Sequence, residues 1–188
     1  MRRTFAGIIA LFVSILGITS FNAPARAQGF DSRIQEGLKL APVELKKHGL
    51  NPALVGLGSY IVNAQGGCND CHTNPPYAAG GDPFAGQQEK INAAGYLGGG
   101  TVFGPFTSRN LTPRASDGQP AGLSLEEFKE VMHQGTDFKN RHPQISPLLQ
   151  VMPWPVYGKM SDREIAAIYE YLNAIPLISP RPASCTVS

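Results

Sequence analysis

Cys68-Asn69-Asp70-Cys71-His72 is the stretch of this 188-residue chain in which residue type and spacing together specify a chemistry. Thiols three positions apart share one side of a helical turn, where both can add across the vinyl groups of a haem. The imidazole that follows directly then sits over the iron as proximal ligand. Other chemistries use the same residue types. A zinc knuckle needs a second Cys or His pair at ligand spacing, but Cys185 stands alone and His48, His133 and His142 are scattered. A thioredoxin-like redox pair belongs in a βαβ context, and no such pattern surrounds the motif. A disulfide between Cys68 and Cys71 would close a small, strained ring. The motif is accompanied by an export signal, and the expected cofactor is one covalently bound haem c.

His72 alone would leave the iron open to small molecules, whereas a second protein ligand makes an electron carrier. Six side chains compete for that place. Met132 falls on an apolar helix face, where filling a core is its ordinary work. Met160 precedes a helix N-cap and serves as a staple residue. His133 falls in the last turn of a helix, where an imidazole complements the dipole. His48 and His142 lie in loop settings with no support from neighbours. Met152 differs, because Val151-Met152-Pro153-Trp154-Pro155 is a loop stiffened by prolines between two helices. Such a loop can hold a thioether at bonding distance with little entropy left to lose. His72 and Met152 are therefore the expected iron ligands. The alternative is an open-site haem protein, a gas sensor or peroxidase.

The N-terminus reads as a leader. Met1-Arg2-Arg3 is basic, Phe5 to Phe21 is apolar, and Ala25-Arg26-Ala27 supplies a small-x-small cleavage pattern. Cleavage after Ala27 is expected, with an uncleaved anchor as the competing reading. The twin arginine is discounted, since haem attached outside the cytoplasm needs a chain that crosses unfolded. The formal charge of +2 for the whole chain includes Arg2, Arg3 and Arg26, so the mature balance is slightly acidic. Nothing there argues for nucleic acid, and no second apolar run argues for a membrane span. The expected compartment is the periplasm. The expected division is leader 1–27, N-terminal extension 28–50, a main domain 51–176 that holds the haem, and Pro-rich tail 177–188. In that tail Cys185 reads as an exposed spare thiol, with an intermolecular disulfide as the alternative.

Several elements must position the motif. Asn51-Pro52 starts a helix, with Asn as N-cap and Pro at the first position. Leu54, Leu57, Ile61 and Ala64 give it one apolar face. Gly56 and Gly58 inside it weaken it, which implies close approach of another helix backbone. Gly66-Gly67 ends the helix just before the motif. Residues 73–122, rich in Gly and Pro, read as long irregular backbone packed against the flat ring. Ser124-Leu125-Glu126-Glu127 and Ser161-Asp162-Arg163-Glu164 are capping boxes, stapled by Leu123 with Phe128 and by Met160 with Ile165. Gly135 closes the first helix and Pro176 blocks extension of the second. Residues 31–49 are weakly patterned and read as an extension wrapping the domain. No segment alternates convincingly as a strand, so the expected fold class is all-α.

Together these residues resemble a class I cytochrome c, and more narrowly the bacterial monohaem cytochromes c that serve periplasmic dehydrogenases. The resemblance runs from about Leu57 to Pro176. It rests on Gly58-Ser59-Tyr60, Cys68 to His72, Ser108-Arg109-Asn110-Leu111-Thr112-Pro113, Met152-Pro153-Trp154-Pro155 and Ala167-Ile168-Tyr169-Glu170-Tyr171-Leu172. It implies a few helices around one covalently bound haem, with the helix from Asn51 crossing the last one near Gly58. It also implies that Asn110, Thr112 and Pro113 lie along the haem edge, against the propionates or the His72 ring. The chain departs from the pattern at Arg114, where many relatives carry an acid. The resemblance implies single-electron transfer between a redox donor and acceptor, either as a free carrier or as the cytochrome subunit of a dehydrogenase. No nucleophile–base pair suggests independent catalysis.

Overall fold

The computed structural model describes residues 25–46, 48–137 and 146–179. Among these residues six α-helices carry the architecture: α1 (Ala25–Leu40), α2 (Pro52–Tyr60), α3 (Cys68–His72), α4 (Leu125–Gln134), α5 (Trp154–Tyr157) and α6 (Asp162–Ala174). A single π turn, Ile61–Gln65, prolongs α2. The helix-rich expectation holds, with one addition. Val102–Phe103 (β1) and Phe106–Thr107 (β2) pair as a short antiparallel hairpin. Two residues per strand are too few to show alternation in a sequence.

The helix boundaries follow from local chemistry. Asn51 Oδ1 accepts from the backbone N–H groups of Ala53 and Leu54, at 3.0 and 3.4 Å. Ser124 and Glu127 close a reciprocal capping box at α4, and Ser161 and Glu164 repeat it at α6. Gly135 ends α4 at φ 71°, a left-handed conformation that glycine adopts without penalty.

α2 lies between α6 and α1, and its two glycines make both contacts. A Cβ on Gly58 would stand 1.9 Å from the Ala167 carbonyl oxygen of α6. A Cβ on Gly56 would stand 2.5 Å from the Ile34 carbonyl oxygen of α1. The expected close approach thus occurs on two sides. Asn51 N–H also donates to the Glu170 carboxylate at 2.8 Å, fixing the start of α2 against α6. The core between these helices holds Leu57, Val62, Ile165, Ile168, Tyr171 and Leu172.

Residues 28–50 differ from a wrapping extension, because most of them are helical. α1 docks through Gly37, whose hypothetical Cβ would meet the Gly56 carbonyl oxygen at 1.9 Å, and through buried Ile34. A helix that packs by bare backbone and one isoleucine leaves no apolar stripe to read. Lys46 N–H then reaches the Ala174 carbonyl at the end of α6, at 2.8 Å. Residues 1–24, where most of the expected leader falls, lie outside the described residues, as do His142 and Cys185. Among the described residues no helix is long and apolar enough to cross a membrane.

Candidate functional site

α3 is one turn of helix carrying both thiols and the imidazole. Gly67, at φ 57°, breaks the path from the π turn so that the chain can restart at Cys68. Its two intervening residues hold it to the next segment. Asn69 donates to the Pro76 carbonyl at 3.2 Å, and Asp70 accepts from the Tyr77 hydroxyl at 2.7 Å.

Cys68, Cys71 and His72 line a cavity of about 370 Å³, and Met152 lines the same cavity. Most of the wall is apolar, including Val62, Leu97, Leu123, Phe128, Ile168 and Leu172. Burial, aided by neighbouring Cys71, pushes the Cys68 thiol up to about 12. Burial and the Asp70 carboxylate also raise Cys71. Among the described residues no group of three or more His, Cys, Asp and Glu converges as a zinc site requires.

The His72 ring is held in one tautomer. Its Nδ1 lies 2.8 Å from the Arg109 carbonyl oxygen, which can only accept, so Nδ1 carries the proton. Nε2 therefore keeps its lone pair. Burial lowers the His72 pKa, so the ring is neutral. The His72 carbonyl accepts from Gly99 N–H at 2.6 Å, which holds the backbone of the same residue.

The Met152 loop is anchored at three points. Tyr157 donates to the Gly66 carbonyl just before α3, at 2.8 Å. The Trp154 ring lies on Gly135, where a Cβ would come within 2.4 Å of it. His133 reaches the Gly158 carbonyl with Nδ1 and the Asp162 carboxylate with Nε2, both at 3.0 Å. Both nitrogens of His133 are thus engaged away from the cavity. Met132, buried in the core, and Met160, half-buried, line the same cavity as Met152, so what distinguishes Met152 is its anchored loop and not its place on the wall. His48 is exposed and lies off the wall.

The 108–113 segment reaches the site differently from what the resemblance implies. Arg109 and Leu111 line the cavity, while Asn110, Thr112 and Pro113 do not. The alternation of an extended segment turns Asn110 and Thr112 to the other side. There they bond to each other and to Ile178. The contact with the His72 ring comes from the Arg109 main chain. The Arg109 guanidinium pairs with the buried Asp137 carboxylate, which also lines the cavity. Asp137 and the Arg109 carbonyl were not legible beforehand. A carbonyl has no residue type to read, and Asp137 lies 28 positions from its partner.

A cavity of this size with an apolar wall, two neutral thiols, one imidazole with a free Nε2 and a thioether is a donor set that fits a covalently bound haem. Over 121 residues the chain is 33% identical to the gluconate 2-dehydrogenase cytochrome c subunit of Pantoea cypripedii, covering 64% of this chain and 23% of that protein. Over 119 residues it is 29% identical to the cytochrome c subunit of the quinone alcohol dehydrogenase of Gluconobacter oxydans (strain 621H), covering 63% and 21%. Both likenesses support a cytochrome c family. The chain spans less than a quarter of either relative's length. No family model and no solved structure matches it.

Proposed function

We propose that this protein is a monohaem class I cytochrome c that carries single electrons in the periplasm, as a partner or subunit of a dehydrogenase and not itself the catalyst. Cys68 and Cys71 would hold the haem through thioethers, and His72 and Met152 would ligate its iron. One observation carries the reading. The attachment motif, a neutral His72 with Nδ1 fixed on a carbonyl, and Met152 all line one apolar cavity.

When bound, the haem supplies the one-electron iron couple. The chain's own residues do the rest. The Arg109 carbonyl fixes the His72 tautomer and raises the basicity of Nε2. Leu97, Phe128 and Leu172 exclude water, which limits the rearrangement needed when charge changes. Arg109 places a cation on the wall that suits the acidic edge of a haem, balanced by Asp137. Tyr157, Trp154 and His133 hold the Met152 loop, so the thioether is positioned before ligation. The names of both relatives, cytochrome c subunits of dehydrogenases, support the electron-transfer role and a dehydrogenase partner.

Optical spectra of the purified protein test this. The expected result is a low-spin, thioether-linked haem that resists acid-acetone extraction. Met152→Ala should become high-spin and bind carbon monoxide rapidly. An unchanged Met152→Ala spectrum would remove Met152, and a wild-type protein that is already high-spin would favour the open-site reading.

A further inference from the structure

We propose that Asn110 and Thr112 are positioning residues that clasp the C-terminal segment and thereby hold the Arg109 carbonyl on the His72 imidazole. The inference rests on the reading of His72 as an iron ligand.

The clasp is a closed set of hydrogen bonds. Asn110 Nδ2 donates to the Ile178 carbonyl at 2.7 Å. Ile178 N–H donates to Thr112 Oγ1 at 3.0 Å. Asn110 Oδ1 accepts from both Thr112 N–H and the Thr112 hydroxyl, at 2.8 and 2.7 Å. The Asn110 amide orientation is fixed by this pattern, because its carbonyl faces two donors and its amine faces an acceptor. Thr112 is only 2% exposed, so each of these groups would be costly to leave unmatched. Two side chains thus pair both backbone groups of Ile178, as a neighbouring strand would.

The clasp leads directly to the imidazole. The Ile178 side chain covers Gly98, where a Cβ would come within 2.8 Å of it. Gly99 lies against the Arg109 main chain, with a hypothetical Cβ 2.4 Å from the Arg109 carbonyl carbon, and its N–H holds the His72 carbonyl. Leu111 N–H bonds to the Leu97 carbonyl at 2.8 Å. Residues 97–99 are therefore gripped between Ile178 and the 109–112 segment, and both segments bond His72. Arg109, whose carbonyl meets Nδ1, immediately precedes Asn110. Loosening the clasp lets that carbonyl drift from Nδ1.

A weaker Nδ1–H···O bond makes the imidazole a poorer donor, which favours ferrous iron. The test uses full-length Thr112→Val, Asn110→Leu and Thr112→Ser proteins. It reads covalent haem by mass, reduction potential, and solvent exchange of the His72 ring N–H by nuclear magnetic resonance. Thr112→Val and Asn110→Leu should keep their haem and a low-spin spectrum. Their ferric–ferrous equilibrium should move about threefold toward ferrous, about 28 mV at 59 mV per tenfold for one electron. The ring N–H should exchange faster in both. Thr112→Ser keeps the hydroxyl and should behave as wild type. Lower thermal stability with unchanged potential and exchange would overturn the proposal, as would a Thr112→Ser shift equal to that of Thr112→Val. A wild-type chain without haem would instead defeat the cytochrome reading, whereas haem-loaded variants with unchanged potential and exchange would defeat the clasp alone.

Discussion

At the scale of single residues, the imidazoles of His72 and His133 show how environment assigns a role. His72 is half-buried, desolvation lowers its pKa, and one ring nitrogen is bonded while the other is not. His133 faces two acceptors, and only the imidazolium can donate to both. The Gly158 carbonyl and then Asp162 raise the His133 pKa above its ordinary 6.5. His133 in turn lowers Asp162 below its ordinary 3.8. The sign follows from those directions. The histidine's contribution is complete below 6.5 and is lost as pH rises through the raised value. The aspartate's contribution is complete above 3.8 and is lost as pH falls through the lowered value. The pair is therefore fully effective between these two limits. Lys129 also reaches Asp162, at 3.6 Å, and opposes the His133 shift. Because the pair is solvent-accessible, its effect on stability is small. Thermal melts from about pH 6 to about pH 9 should show a steeper decline in wild type than in His133→Gln. Equal slopes would remove His133 from the account.

At the scale of elements, the helices are placed by caps and by glycines, and each kind of device has a measurable cost. Losing the Ser124 or Ser161 cap by substitution with alanine should cost about 1 kcal/mol in urea unfolding. Gly58→Ala should cost more, about 3 kcal/mol, because the added carbon overlaps a backbone oxygen that cannot rotate away. Gly49→Ala is a different case. Nothing lies within 4 Å of its hypothetical Cβ, so its cost comes from the φ of 78° alone. A Gly58→Ala protein as stable as wild type would mean that α2 and α6 are not packed as described. The caps and the close approach at Gly56 and Gly58 were legible because each depends on residue types at short spacing, whereas the choice of the last helix as partner was implied by the family resemblance. α1 was not legible, since Gly37 and Ile34 make its contact and neither forms part of a stripe.

At the scale of the whole molecule, the cavity sets the balance. An enclosed void costs about 24 cal/mol per Å³, so one of about 370 Å³ would cost about 9 kcal/mol. That is as large as the total stability of a typical domain. Opening to solvent reduces the penalty but exposes Phe128, Leu172 and their neighbours instead. A Cys68→Ala/Cys71→Ala protein lacking haem should therefore keep helical circular dichroism, lose a sharp thermal transition and bind a hydrophobic dye. A cooperative transition at the wild-type temperature would show that the fold does not depend on filling this space.

The sequence by itself determined the Cys68-to-His72 spacing, the helix starts and stops, and the need for close backbone approach at Gly56 and Gly58. Each is a matter of a few neighbouring residues, so chain order suffices to express it. Tertiary structure alone decided which carbonyl holds His72, that Asp137 meets Arg109, and that Asn110 and Thr112 turn toward Ile178 instead of the cavity. Those bonds join segments 28 to 68 residues apart, and three of the four have a main-chain group as one partner, which every residue type carries. Only the packed chain selects among them.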